Sequence, residues 1–592
     1  MKAVRTRVLS WLVSLCVAAV ALPAAGLPGF YIGKGTQKRH AYSTHIVVLQ
    51  KGELSSVSVM TDYDGPLDAF ALVLAVPPDV TLEKVKTLKR EYVDRVDQMS
   101  APRYHEFWEM DPCDGGPNEQ EWERKLTASE PGFLGGVDPM SGEAPKKKVD
   151  KELFLRTDSE FKEGEYVFTL LEGQSLKDFA GSKGFTLPAG AEQAAAGAIA
   201  QGFKLLVAEV DAKRIELVGG GRGQLSPIRW WSDKPTTKLP VRLGLISSPG
   251  KQELVIYVFD PQARYQVKNY GNAFPPTNVE AKLELEKDGR TTYVKERTGE
   301  MYAAIHDRIL AKQPNTFLNE YAWHSLGCGE PCPTAPLWIH ELLTLGADNF
   351  ETIVSDEEKN PEVEELTKEE KKALKEEWDF AKLTPKERKD REKQIMDDRK
   401  KTAANKALVE RHKYMVSRLH HRYNAAGLPR DVELAPAPNQ VKGGIDIPKG
   451  PKGDLPRNVV GAPVSKLQTR FVHFHPWKGM QKCAKPERWR WGKAPRTYRG
   501  LRKIWIAEDL SRRDRKQIKL EQVILTAIPE LGLTGIPEDP SDGGADGGLG
   551  AEGGKGSCGC EVVRAESPGF FSTLAAAGLL AAFGYRRRRR KG

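Results

Sequence analysis

The chain has 592 residues, of which 40% are hydrophobic and 29% are charged. This length allows about three to five domains, and this composition excludes a chain that is disordered throughout. The formal net charge is +10, and residues 586–591 supply six of the positive charges. We therefore interpret the excess of positive charge as a targeting feature, and we do not expect nucleic acid as a partner.

Residues 1–26 have the three parts of a secretory signal peptide. Basic side chains at Lys2, Arg5 and Arg7 precede an apolar run over 9–22, and small residues follow at 24–26. The run is too short to span a membrane comfortably. The sequence therefore predicts export and cleavage by signal peptidase, with an uncleaved anchor as the alternative.

Four of the seven cysteines lie between the two terminal segments: Cys113, Cys328, Cys332 and Cys483. In an exported protein, four cysteines indicate two disulfides, for which three connectivities are open. Cys328 and Cys332 are close enough to close a small loop, which would leave Cys113 with Cys483. A redox dithiol is the alternative for the close pair, but such motifs have two intervening residues and this one has three.

The C-terminal end combines a linker with a short apolar stretch. Residues 536–557 are rich in Gly and predict a flexible linker. Residues 558–592 hold Cys558, Cys560 and an uncharged stretch over 568–585, whose 18 residues barely span about 30 Å of hydrocarbon. Because positive residues stay in the cytoplasm, we expect the body to lie outside. The basic cluster consists of Arg586, Arg587, Arg588, Arg589 and Arg590, followed by Lys591.

This order of cysteine, apolar stretch and arginines resembles the myxobacterial C-terminal sorting signal, MYXO-CTERM. The resemblance implies that a membrane sorting protease cuts near Cys558 or Cys560 and that the protein reaches the outer surface of the cell envelope. A plain tail anchor in the membrane, without processing, is the alternative.

Hydrophobic periodicity predicts an α+β fold of antiparallel sheets and hairpins with packed helices. We divide the body into a β-rich part over 27–150, an α+β part over 151–350, a charged helical hairpin over 351–430 and a β/loop part over 431–535. The predicted strands are 45–50, 54–61, 70–76, 166–171, 203–210, 241–247, 253–259 and 467–474. The predicted helices are 79–98, 176–183 and 191–201, and residues 114–150 read as a surface insertion.

Two capping boxes mark the helices of the charged hairpin. Thr367 with Glu370 starts the first helix, and Thr384 with Glu387 starts the second, where Pro385 fits the first helical position. We expect this second helix to run from Pro385 to about Asn424. A run so rich in charge is usually a solvated helical face rather than a nucleic-acid arm.

A set of segments spread over the body carries a second resemblance: Tyr63-Asp64-Gly65-Pro66-Leu67-Asp68-Ala69-Phe70, Ala101-Pro102-Arg103-Tyr104, Leu239-Pro240-Val241-Arg242-Leu243-Gly244, Pro276-Thr277-Asn278, Ser417-Arg418-Leu419-His420-His421-Arg422-Tyr423, His475-Pro476-Trp477, Cys483 and Trp491-Gly492. They resemble a bacterial family of unknown function, DUF2330, over about residues 29–495. The resemblance implies architecture and export but no mechanism. One departure is that the family often opens with a segment bearing two cysteines, whereas residues 27–32 have none.

The best metal candidate in the sequence is the pair His473 and His475. Residues two apart on a strand face the same side, so both imidazoles could reach one zinc ion. His420, His421, His324 or a carboxylate could supply a third ligand. The alternative is a structural or exposed pair at a strand end.

An aromatic and basic stretch over 477–503 suits an acidic polysaccharide, with Arg488, Arg490 and Lys493 as the contacting charges. The alternative is tryptophans packed under arginine stems. No catalytic constellation is visible in the sequence. We therefore expect a non-enzymatic surface protein, a structural or binding module, and we hold a metal-dependent hydrolase using His473 and His475 as the alternative.

Overall fold

The computed structural model describes residues 27–113 and 156–537, apart from short gaps at 163, 173–174, 219–221, 288, 330, 377–382, 452, 493, 495–503 and 509–517. All of these residues belong to one compact unit, Met1–Glu538. The predicted signal peptide, the linker beyond residue 537, the sorting tail with Cys558, Cys560 and its arginines, and the insertion at 114–150 lie outside the described residues.

The α+β prediction is confirmed. The α-helices are Arg90–Ser100 (α1), Leu176–Lys183 (α2), Ala191–Ala200 (α3), Thr298–Lys312 (α4), Ile339–Leu345 (α5), Asp356–Lys359 (α6), Lys368–Glu376 (α7) and Pro385–Arg411 (α8). The strands are Gly29–Gly33 (β1), Ser43–Lys51 (β2), Leu54–Tyr63 (β3), Phe70–Val76 (β4), Val85–Thr87 (β5), Arg103–Glu109 (β6), Tyr166–Leu171 (β7), Lys204–Val210 (β8), Glu216–Val218 (β9), Arg222–Gln224 (β10), Ile228–Ser232 (β11), Lys238–Leu239 (β12), Gln252–Asp260 (β13), Tyr265–Val267 (β14), Gly271–Ala273 (β15), Val279–Glu280 (β16), Glu284–Lys287 (β17), Arg290–Tyr293 (β18), Thr316–His324 (β19), Met415–Tyr423 (β20), Val432–Pro436 (β21), Val441–Gly443 (β22), Val460–Gly461 (β23), Lys466–Gln468 (β24), Arg470–His475 (β25), Trp491–Gly492 (β26) and Trp505–Ile506 (β27).

The predicted first hairpin is confirmed. Strands β2 and β3 pair antiparallel, with Lys51 opposite Leu54 across the turn. The turn needs a left-handed residue, and Gly52 supplies it with φ 61°. Alternation along β2 sends Val48 into one hydrophobic core and Val47 into another, so this hairpin is buried on both faces.

A large mixed sheet organises the described residues. Its central strands run in the order β19-β20-β13-β2-β3. Strand β13 pairs parallel with β2 and antiparallel with β20. The four consecutive parts of the body that the sequence suggested therefore share one sheet, because β2, β13, β20 and β24 come from different parts and all join it.

Two smaller sheets complete the layers that bear on the candidate sites. Strands β1, β4, β8 and β7 form one of them, and helices α2 and α3 pack on it. Strand β25 lies parallel to β6 in the other, which places His473 opposite Glu106 and His475 opposite Trp108. Helix α4 covers a core that includes residues from β25 and β19.

The second predicted hairpin is wrong. Residues Val241–Ser247 form a 3-10 helix, not a strand. The backbone N–H of Gly244 donates to Leu27 O at 2.7 Å, so this segment satisfies its polar groups against the chain before β1 rather than against β13. A Cβ at Gly244 would lie 2.4 Å from that of Leu27, and only glycine permits the approach.

The predicted long helix also ends early. Helix α8 stops at Arg411, and residues Met415–Tyr423 form the central strand β20 instead of continuing to Asn424. The backbone of β20 pairs on both sides, with β13 and with β19. Two ladders of hydrogen bonds thus override a local helical pattern, because tertiary pairing outweighs intrinsic propensity.

The helix predicted over 79–98 is wrong in its first half. Residues Leu82–Lys84 form a 3-10 turn and β5 follows, so that α1 begins only at Arg90. The β-branched residues Val85 and Thr87 pair with β11, which removes this stretch from the helix.

Both predicted capping boxes are confirmed. Thr367 and Glu370 exchange hydrogen bonds at the start of α7, and Thr384 and Glu387 do so at the start of α8. An ion pair between Glu370 and Arg399 joins the two helices at 2.5 Å.

The structure pairs Cys113 with Cys483 and Cys328 with Cys332, at Cα–Cα distances of 5.4 and 5.7 Å. These pairs are one of the three open connectivities. In the part of the chain that the structure describes, no helix is both long and apolar enough to cross a membrane.

Candidate functional site

Strand β20 carries a row of basic side chains on one face. Successive residues of a strand point to opposite faces, so Arg418, His420 and Arg422 lie side by side. Leu419 and Tyr423 point to the other face and pack into the largest hydrophobic core. The basic row is almost entirely buried, with residual exposures of 2%, 1% and 7%. Buried cations require partners, and the neighbouring elements supply them.

A β-bulge on the neighbouring strand supplies the central carboxylate. The register between β19 and β20 shifts between Asn319 and Tyr321, which leaves Glu320 as the extra residue. Its carboxylate accepts from Arg418 Nε at 2.6 Å and hydrogen-bonds His420 Nδ1 at 2.6 Å. Its backbone carbonyl accepts from the backbone N–H of Thr469 at 3.0 Å. The bulge thus aims Glu320 between two cations.

Strand β13 and helix α4 complete the other end of the row. Glu253 lies 2.7 Å from His420 Nε2 and also accepts from Arg422. Arg422 Nε donates to Asp307 at 2.8 Å. Lys251 lies 2.6 Å from the same aspartate. His420 is therefore held between two carboxylates, one at each ring nitrogen.

Helix α1 supplies the partner at the opposite end. Arg418 Nη1 donates to Asp97 at 2.5 Å and to Ser100 Oγ at 3.3 Å. Tyr257 OH also donates to Asp97, at 2.7 Å. His45 Nδ1 lies 2.9 Å from the same tyrosine hydroxyl. Tyr302 OH donates to Glu320, and the ring of His306 lies beside that of His420. We use the name charge cluster for Asp97, Lys251, Glu253, Tyr257, Tyr302, His306, Asp307, Glu320, Arg418, His420 and Arg422.

The electrostatics of the charge cluster favour a positive charge on His420. Burial works against the imidazolium, but Glu320 and Glu253 outweigh it and raise the pKa of His420 from 6.5 to about 9. Burial likewise opposes the charged form of Glu320, yet His420 and Arg418 hold its pKa below the ordinary value. At neutral pH the two groups form an ion pair.

One histidine in the charge cluster has no such partner. His306 on α4 is fully buried, and neither ring nitrogen has a hydrogen-bond partner among the described residues. Burial, followed by the charges of His420 and Arg422, lowers its pKa well below 6.5. Its ring stands edge-on to that of His420, with centroids 4.6 Å apart.

Three of these side chains could hold a metal ion. His306, Glu320 and His420 each place one ligand atom within 4.8 Å of the other two, and they form the one such group among the described residues. All three are buried to within 1% of full burial. Because no solvent-exposed face remains, the arrangement can bind an ion or fix the sheet, but it offers a substrate no surface to contact.

The predicted metal pair sits elsewhere. His473 and His475 share one face of β25, with ring centroids 4.8 Å apart. His473 Nδ1 donates to Ala281 O at 3.0 Å, and His475 Nε2 lies 3.1 Å from Glu106, which also pairs with Lys295 at 2.9 Å. Each imidazole therefore already has a protein partner.

Among the residues that the structure describes, neither a suggested histidine nor a carboxylate joins this pair in a group of three ligand atoms. His420 belongs to the charge cluster, His421 bonds to Gly427 O at 2.8 Å, and His324 ends β19. Phe474, between the paired histidines, faces the other way and lines an open cavity of about 730 Å³ with Asp446 and Lys449. The pair itself does not line that cavity.

The predicted anion-binding arginines are occupied within the chain. Arg488 Nε donates at 2.7 Å to Glu109, whose side chain is fully buried, and its guanidinium lies 4.4 Å from the Trp489 ring centroid. Arg490 Nη2 donates to Asp111 O at 2.8 Å. These contacts fit the alternative, in which arginines lie over packed tryptophans. Lys493 lies outside the described residues.

Sequence reasoning missed the charge cluster because it placed β20 in a helix. The signal that could have found it is the alternation in Arg418-Leu419-His420-His421-Arg422, in which every second residue is basic. If the segment is a strand, its alternate basic side chains share one face. Where that face is buried, they need acidic partners on the neighbouring elements. The bulge at Glu320 has no comparable signal in the sequence.

Comparison with family models adds the remaining observation. The model of a family described as an uncharacterized protein conserved in bacteria (DUF2330) matches residues 22–435. The chain is a DUF2330 protein. The match includes the whole charge cluster, and it ends before His473, Cys483 and Arg488, where the resemblance was expected to continue to residue 495. No curated protein and no solved structure matches this DUF2330 chain.

Proposed function

We propose that this DUF2330 protein is an exported, non-enzymatic module of the cell surface, with a structural or binding role. The observation that carries the proposal is the closure of the charge cluster. Glu320, His420 and Arg418 are at most 2% exposed and are bonded to one another. Ionisable groups that serve catalysis must reach a substrate, whereas these groups connect strands of one sheet.

Cysteine pairing supports export. Cys113–Cys483 and Cys328–Cys332 take up the four cysteines between the terminal segments. Disulfides persist in oxidising compartments and are rare in the cytosol. The signal-peptide pattern of residues 1–26 points to the same destination.

The C-terminal segment supports a surface location. Residues 558–592 are similar to the MYXO-CTERM sorting signal, with Cys558 or Cys560 in the place of that signal's cysteine. We propose that the segment anchors the chain in the membrane until a sorting protease removes it. The body is then released to the outer surface.

Mass spectrometry of the full chain, produced in its own bacterium, tests the location and the processing. We expect a mature chain that lacks residues 1–26 and 568–592 and that surface biotinylation labels on intact cells. The matched variants Cys558→Ala and Cys560→Ala identify the cysteine that processing requires. A mature chain that keeps residues 570–585 would refute the processing, and a chain found only in the cytoplasm would refute the export.

A hydrolase screen tests the non-enzymatic role. The purified chain, with and without added Zn²⁺, is offered ester, peptide and glycoside substrates, and we expect no turnover. Zinc-dependent turnover that disappears in His473→Ala and persists in His421→Ala would instead assign a metal-dependent hydrolase to the pair on β25.

A further inference from the structure

We propose that His306, Glu320 and His420 bind a first-row divalent metal ion, with zinc as the probe, at a closed structural site in the core. The inference goes beyond the proposed surface role and does not depend on it. Two imidazoles and a carboxylate are a donor set that zinc prefers in proteins.

The spacing of the donors is close to that of a formed site. Their ligand atoms lie within 4.8 Å of one another. Ligands about 2.0–2.1 Å from a tetrahedral ion are separated by roughly 3.3 Å, so shifts on the order of 1 Å would close the site. They come from helix α4 and from adjacent strands β19 and β20, so the ion would fasten the helix to the sheet.

The unpartnered state of His306 is an independent reason. A buried polar group without a hydrogen bond costs about 1–3 kcal/mol, so such groups call for an explanation. Both nitrogens of His306 are buried without a partner among the described residues. Its ring lies against His420 at 4.6 Å between centroids. A metal ion bound by His306 would give one of those nitrogens its missing partner.

The groups around the three donors are arranged as supports for metal ligands. Metal-bound histidines usually donate their other ring N–H to a carboxylate, which fixes the tautomer. His420 has Glu253 at Nε2, 2.7 Å away, and Glu320 at Nδ1. Tyr302 OH donates to Glu320 as well. An ion bound at His420 Nδ1 would break the hydrogen bond between this nitrogen and Glu320 and release its proton to water, and Glu253 would keep its hydrogen bond with Nε2.

Burial decides the kind of site. His306 and Glu320 are 0% exposed and His420 is 1% exposed. Three protein donors leave one position of a tetrahedral zinc ion without a protein ligand, and burial keeps a substrate from reaching that position. Because the ligands are inaccessible once the sheet has formed, we expect the ion to bind during folding and to contribute to the stability of the fold.

The test measures zinc in the full chain, expressed with added Zn²⁺ and purified without chelator. We expect close to one zinc per chain in the wild type, most of it lost in His306→Leu. His421→Leu is the matched control, because it removes a buried histidine that points to the opposite face of β20. This control should retain the zinc.

Thermal unfolding separates the metal site from a histidine that is merely buried. Without a metal, His306→Leu replaces an unpartnered polar ring with an apolar side chain and should leave stability unchanged or raise it. With a metal, His306→Leu should lower the Tm, and EDTA present during refolding should lower the Tm of the wild type but not that of the variant.

Three outcomes would contradict the proposed metal site. The first is wild-type protein without metal after expression in zinc. The second is His306→Leu with unchanged zinc content or with a Tm at or above that of the wild type. The third is zinc that persists in His306→Leu and disappears in His473→Ala, which would place the ion on β25. If His306→Leu does not fold, His306→Gln replaces it, and the zinc content of the wild type still decides.

Discussion

At the scale of single residues, the charged neighbours of a buried group decide its protonation state. His420 and His473 are both histidines on strands, yet their environments shift their pKa values in opposite directions. Two carboxylates raise the pKa of His420 to about 9. Burial, followed by the charge of His475, lowers the pKa of His473 to about 4. The first is charged and the second is neutral at pH 7.

The neutral state of His473 predicts an acid-sensitive contribution to stability. Its folded-state pKa of about 4 lies below the ordinary 6.5, so the unfolded chain binds more protons between these values. The contribution is present above pH 6.5 and is lost as the pH falls toward 4. His475 on the same strand, Glu106 on β6 and Lys295 before α4 are the titratable groups that face it.

Chemical denaturation of His473→Asn between pH 4 and 7 measures this contribution. The amide can still donate to Ala281 O, so stability at pH 7 should change little. The wild type should lose about 1–3 kcal/mol more than the variant on acidification. Parallel curves for the two proteins would contradict the neutral state of His473.

At the scale of elements, β20 shows why local pattern and final structure diverge. Its segment Met415–Tyr423 follows the charged helix α8 and continues its density of basic residues. In a solvated helix these charges would face water. In the sheet they face Glu253 on β13 and the bulged Glu320 on β19, so the strand is stable only once both neighbours are in place.

Arg418→Met tests how far the charge cluster supports this strand. Removing the guanidinium leaves the partly buried Asp97 without the cation of its ion pair and leaves Glu320 with His420 alone. Breaking a buried pair costs about 3–5 kcal/mol. The free energy of unfolding measures the loss. Arg399→Met is the control, because Arg399 and Glu370 are 35% and 42% exposed and such a pair contributes at most about 1 kcal/mol.

Equal losses of unfolding free energy in Arg418→Met and Arg399→Met would show that the ion pairs of Arg418 stabilise the fold no more than an exposed ion pair does. In the double variant Arg418→Met with Asp97→Asn, part of the stability should return, because Asp97 is the carboxylate that Arg418→Met leaves without its ion-pair cation.

At the scale of the whole molecule, long-range pairing holds distant parts of the chain together. Strands from residues 43–51, 252–260, 316–324 and 415–423 lie side by side in the large sheet. Cys113 and Cys483 are separated by 370 residues, and Cys328 and Cys332 by 4. The long link restricts the unfolded chain far more than the short one does.

This difference predicts unequal effects of removing the two disulfides. By the chain-entropy relation, the double variant Cys113→Ser with Cys483→Ser should lose about 6 kcal/mol, because it removes a link across 370 residues. Cys328→Ser with Cys332→Ser removes a link that closes only a short loop, and it should lose about 2 kcal/mol by the same relation. Denaturation of both variants beside the wild type measures the difference, and a larger loss for the short loop would contradict the entropic account.

The sequence by itself determined the locally coded features of this protein. Strand Phe70–Val76 and helix Leu176–Lys183 follow from hydrophobic runs and caps, and the boxes at Thr367 and Thr384 follow from side chains three residues apart. These features depend on neighbours within a few residues, so the one-dimensional pattern is sufficient.

Only the tertiary structure decided that Met415–Tyr423 forms strand β20 and which residues make up the charge cluster. Arg418 finds Asp97 and Glu320 across 321 and 98 residues, respectively, and the bulge that aims Glu320 arises from pairing with β20. Neither the partners nor the bulge has a local signature. Because a charge can be buried only where distant partners meet it, the sheet had to be known before the cluster could be recognised.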